Sequence, residues 1–136
     1  MNNNFYNRLM TIASILGALG VMTGAFGAHF LKSRLEANDL ATIKTGVLYL
    51  FVHVLVTLIV CVIAKTGAPT KWLRLAGVSF ILGIIMFSGS LFIIGTASLT
   101  GFPVSTIGII TPIGGLFFIT GWIALTVNGV MKRPIH

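Results

Sequence analysis

Charge is what this chain has least of. Only 8% of its 136 residues are Asp, Glu, Lys or Arg, against roughly 25% in a soluble domain whose surface must be wetted. So few charges cannot cover a water-soluble protein of this length, which leaves lipid as the solvent for most of it. The only two acids are Glu36 and Asp39. Neither lies inside an apolar run, so no carboxylate is available at membrane depth. A hydrolase built on His53 and a nearby serine would lack an acidic group to orient the imidazole. The sequence also has no HExxH, CxxC, GxSxG or phosphate-binding loop. The expectation is a protein that is not an enzyme and binds no cofactor. Cysteine is nearly absent too. Cys61 is alone, which excludes an intrachain disulfide and a thiolate metal site, and it reads as a small hydrophobe within an apolar stretch. The net charge of +7 is scattered over the ends of apolar stretches. Nucleic-acid binding needs basic residues clustered on one face, so none is expected; lipid headgroups are the better match.

What the chain does have is apolar length. Hydrophobic residues make up 56% of it, and the mean hydropathy is +1.03. A helix needs about 20 consecutive apolar residues to cross a bilayer, and four runs supply them, at about residues 9–29, 45–64, 72–95 and 112–130. The first run resembles a signal peptide, with Arg8 before it and Ala25-Phe26-Gly27 as a weak cleavage site. Three further runs make a multi-span protein the simpler account. The predicted fold is all-α, a single domain over 1–136 forming an integral membrane bundle of four transmembrane helices. Thr111 reads as the N-cap of the fourth, with Pro112 at its first helical position.

With four spans, Arg8, Lys65, Lys71, Arg74, Lys132 and Arg133 share one side, and Lys32, Arg34 and Lys44 the other. Basic residues mark cytoplasmic loops, which places both termini in the cytoplasm. Between the first two spans, Phe30, Leu31, Leu35, Leu40 and Ile43 alternate with charged and polar residues. That pattern fits a short amphipathic segment at the outer headgroups, or an extension of a neighbouring span. The last outer connection, 96–110, carries no charge and is expected to fold into the interface or over the bundle mouth.

Helices in lipid associate through close packing and polar contacts. Ala13, Gly17, Gly20, Gly24 and Gly27 form one stripe on the first span. Ala76, Gly83 and Ser90 do so on the third, and Gly114 and Gly121 on the fourth. These stripes serve packing within the chain, self-association, or both. Among polar residues at depth, Thr45, Tyr49 and His53 stand at i, i+4 and i+8 and form one ridge. An intramembrane histidine either carries protons or acts as hydrogen-bonding glue between helices. His29 lies near the outer end of the first span, where it faces headgroups or pairs with the amphipathic segment or Tyr49. His136 is terminal. The amides that open the fourth span either receive an anion or are simply capped and packed.

Several segments, taken in order, resemble a known family. They are Gly24-Ala25-Phe26-Gly27-Ala28-His29, then Thr45, Tyr49 and His53 at four-residue spacing, then Phe87-Ser88-Gly89-Ser90-Leu91. Ile110-Thr111-Pro112-Ile113-Gly114-Gly115 follows, with Gly121-Trp122 after it. The chain is similar over about residues 9–130 to the YgdD/YwdK-like family of small bacterial inner-membrane proteins, a domain of unknown function. The resemblance implies four spans in a bacterial plasma membrane and no assigned activity. Lys44 and Leu48 depart from the family pattern, standing where many relatives carry an acidic residue and an arginine, so no charged-pair role carries over there.

Two functional readings follow. The preferred one is a structural or interaction protein of the plasma membrane, in contact with lipids and self-associating. The alternative is a small transporter or channel subunit that moves protons or a small solute past His53.

Overall fold

The computed structural model describes residues 2–131, with side chains from Asn4 onward. Lys132, Arg133 and His136, which entered the sequence reading, lie outside the described residues. Among the described residues there is no strand, and four helical segments are long and apolar enough to cross a membrane: Asn4–Ser33, Ala37–Thr66, Lys71–Gly95 and Val104–Met131. The chain is an all-α, multi-pass membrane protein.

The spans pack in chain order, first on second, second on third and third on fourth. The two middle spans are the more enclosed, with 39% and 44% of their apolar windows buried against 17% and 28% for the first and fourth. Most of the two outer helices therefore faces away from the bundle. Cys61 is fully buried in the core that Leu9, Leu50, Val54, Val60, Leu73, Phe80 and their neighbours build.

Three segments take a definite form in the structure. The amphipathic segment after the first span is one turn of 3₁₀ helix, Leu31–Ser33, with Leu31 buried. The remainder, from Ala37, is the start of the second helix. The third span runs through Ser88-Gly89-Ser90 without a break, widening into a π-turn over Ile84–Ser88 and continuing as α-helix over Gly89–Gly95. The 96–110 connection holds two short helices, Ala97–Thr100 and Val104–Ile107. They are joined through Gly101, whose φ of 71° falls in the left-handed region that glycine tolerates without penalty.

The fourth helix corrects the predicted cap. It runs Ile110–Met131, so Thr111 is already inside it and Pro112 is its third residue. Proline is tolerated there because the first four amides of a helix have no intrahelical partner. Thr111 is free for another role, and its hydroxyl lies 2.7 Å from that of Ser90 on the third span.

The ends agree on parity. The guanidinium of Arg74, at the start of the third span, sits 4.5 Å from the centroid of the Phe5 ring in the first helix. At the same end Thr70 accepts a hydrogen bond from the Leu73 amide (3.1 Å) and donates one to Asn128 Oδ1 (2.6 Å). A helix cap on the third span is thereby tied to the buried Asn128 near the end of the fourth.

Candidate functional site: the His53 cluster

His53 lies in the middle of the second span and is only 4% exposed. Its Nδ1 is 2.8 Å from the carbonyl oxygen of Tyr49, one turn earlier. A carbonyl only accepts, so Nδ1 carries the proton and donates it there. The other ring nitrogen faces the fourth span, where Trp122 Nε1 donates to His53 Nε2 at 3.2 Å. An indole N–H only donates, so Nε2 is bare. The two bonds together fix a neutral imidazole in a single tautomer, with both nitrogens engaged.

Aromatic rings surround that imidazole. Phe118 of the fourth span stacks on it with centroids 3.6 Å apart and planes within 8°. Phe80 of the third span is tilted at 5.4 Å, and Trp122 presents an edge at 6.1 Å. Tyr49 extends the stack outward, 4.6 Å from Phe87 and 6.0 Å from Phe118.

The rings fit because glycines make room for them. A Cβ at Gly83 would overlap the Phe118 ring, and one at Gly121 would overlap Phe80. A Cβ at Gly114 would strike the backbone of Phe87, 2.8 Å from its Cα. The third and fourth spans thus exchange notches and rings, each lending glycines to the other's phenylalanines. Ser90 completes the seam, donating to Phe87 O (2.8 Å) and touching Thr111. Beside it, the Ser88 hydroxyl is fully buried with no hydrogen-bond partner among the described residues.

The first-span glycines face elsewhere. Gly17 lies against Val54, Gly24 against Val47 and Gly27 against Ile43, where an added Cβ would sit 3.4, 3.5 and 3.6 Å from the nearest atom. Gly20 is tighter, against Leu50 and Phe51. This stripe is the seam with the second span.

The polar ridge does not stay together. Thr45 is exposed, its hydroxyl turned back to Ala41 O at 3.0 Å. Tyr49 is 40% exposed and belongs to the cluster through its ring. His29 is exposed at the outer end of the first helix. Gly27 lies level with Ile43, six residues or about 9 Å of helix from Tyr49, so His29 is not part of the cluster. The structure adds Phe80, Phe87, Phe118 and Trp122, which the sequence reading did not place in the site. The one signal available was Trp122 directly after a stripe glycine, since an indole needs a partner for its N–H at membrane depth.

Tyr49, His53, Phe118 and Trp122, with Gly115 and Leu116, also line a crevice of about 400 Å³ between the second and fourth spans. Phe118 covers the imidazole face on that side. The arrangement joins the second and fourth spans through one satisfied polar group, with Phe80 of the third packed against it.

A model of a family described as a protein of unknown function, DUF423, matches residues 23–115. The chain belongs to that family. A UPF0382 membrane protein of Haemophilus influenzae is 38% identical over 95% of this chain and 98% of its own. YwdK of Bacillus subtilis, another UPF0382 membrane protein, is 37% identical over 89% and 98%. The UPF0382 inner membrane protein YgdD of Escherichia coli is 32% identical over 92% of each. No solved structure matches the chain. The family match spans the His53 ridge and the third-span glycines and reaches Gly115, while Phe118 and Trp122 lie just beyond it.

Proposed function

We propose that this protein is a non-catalytic structural or interaction component of the bacterial plasma membrane, with both termini in the cytoplasm, and that it self-associates. The observation that carries the reading is the imidazole of His53. Its two nitrogens are both committed to protein partners and its face is covered by Phe118. A proton relay would have to break the Trp122 bond at each turnover. A structural clasp needs that bond kept.

Self-association draws support from the first span. Only 17% of its apolar window is buried. Its outward face carries Asn7, Thr11, Ser14 and Ala18 around a shallow hollow, small and polar groups of the kind through which helices pair in lipid. A second copy is the occupant we assign to that face. Cytoplasmic termini are favoured by Arg8, Lys65, Lys71 and Arg74, which share one end of the bundle.

Two measurements test the reading. In a Cys61→Ser background, Ser14→Cys should yield disulfide-linked dimers on oxidation in native membranes. Ile85→Cys, on an exposed face of the third span, should not. Proton flux into proteoliposomes should not exceed that of empty liposomes. Absence of the Ser14→Cys dimer would remove self-association through this face. A protein-dependent flux abolished by His53→Ala would replace the whole reading with the transporter one.

A further inference from the structure

The seam between the first and second spans leaves a crevice of about 360 Å³ along one flank. It exists because Gly24 and Gly27, on its floor, have no side chains with which to fill it. Val47, Leu48 and Phe51 of the second span form the opposite wall below Lys44, and Leu40 lines it one turn further out. The lining is otherwise apolar.

The depth of Lys44 matters. The second helix has 30 residues, about 45 Å at 1.5 Å per residue, against about 30 Å of hydrocarbon. Centring the helix in the bilayer puts Lys44 within a turn of the hydrocarbon border, from which its long stem reaches the phosphate level. Phe51 lies seven residues, or about 10 Å, deeper. The nearest acid in sequence, Asp39, accepts a hydrogen bond from Ser98 at 2.8 Å, on the side of the third span. The crevice therefore offers a cation at headgroup level above an apolar slot directed into the membrane.

We infer that this crevice binds an anionic phospholipid, its phosphodiester paired with Lys44 and one acyl chain laid over the Gly24 and Gly27 backbone toward Phe51. The charge complementarity selects the occupant. A zwitterionic lipid would bring a cation of its own beside Lys44. A free anion would leave the slot unfilled, forfeiting the dispersion contacts that close packing supplies. The protein then carries a lipid in its first seam as a packing element, chosen by charge.

The test uses the full chain in phosphatidylcholine vesicles doped with spin-labelled phosphatidylglycerol or spin-labelled phosphatidylcholine. The reading is the relative association of the motionally restricted label. The native protein should prefer the anionic label about fivefold, the effect of one lysine near the surface. Lys44→Gln should bring the ratio to about one, and Lys32→Gln should leave it unchanged. Ala28→Phe, at an exposed position on the crevice wall, should fill the slot and bring the ratio to about one with Lys44 intact. The proposal is overturned by a native ratio near one, or by equal losses in the two lysine variants, which would mean diffuse surface attraction. An anionic preference that survives Ala28→Phe would also overturn it.

Discussion

The two glycine seams of this molecule read almost alike as sequence and are built differently. Between the first and second spans, glycines lie on one helix only and most of them meet aliphatic side chains at ordinary contact distance. Between the third and fourth spans, glycines lie on both helices, and Gly83, Gly114 and Gly121 each receive a phenylalanine ring or backbone where no Cβ would fit. The first seam is one-sided and leaves a crevice on its flank. The second is reciprocal, and its rings close around His53. A small-residue stripe thus states that a neighbour approaches closely. Whether the seam interlocks depends on what the neighbour has to insert.

That contrast is open to direct attack, and the largest effect should come from Gly114→Ala. Its new methyl would meet the Phe87 backbone, which cannot swing aside, so destabilisation of about 3 kcal/mol is expected, at the upper end for overpacking. Reversible SDS unfolding in mixed micelles would measure it. A middle-sized effect should follow Trp122→Phe, which keeps a ring but removes the donor to His53 Nε2. The expected loss is about 1 kcal/mol, in line with interhelical hydrogen bonds in membranes, and it should vanish in a His53→Phe background if the bond is its source. The smallest should be Gly24→Ala in the first seam, within about 0.5 kcal/mol of native, because the nearest atom to the new Cβ lies at 3.5 Å. Equal penalties for Gly114→Ala and Gly24→Ala in the same assay would erase the distinction between the seams.

Much of the fold was legible in the sequence, for a reason specific to lipid. Hydrocarbon forces backbone groups to pair within each helix, so apolar length alone marks the four spans. The glycine spacing likewise marks which face of each helix approaches another. It does not state which helix comes to that face. His53 was visible as a polar group at depth, yet its donor stands 69 residues away, and no local periodicity links the two. Thr45 was grouped with His53 by spacing alone. In the fold it turns back to its own helix, an option open to any threonine at i to the carbonyl at i−4. The helix ends were the least legible. Thr111 and Pro112 form a good start signal, but the Ser90 hydroxyl competes for Thr111, and the helix begins one residue before it.

The account depends most on His53 as a neutral, doubly bonded clasp. Solid-state ¹⁵N NMR of histidine-labelled protein in bilayers at neutral pH, with His29→Gln and His136→Gln to leave one signal pair, reads that state directly. Nδ1 should carry the proton, and Nε2 should show the shift of a bare acceptor that changes on Trp122→Phe. A proton on Nε2, or on both nitrogens, would contradict the clasp and return His53 to the role of a proton carrier.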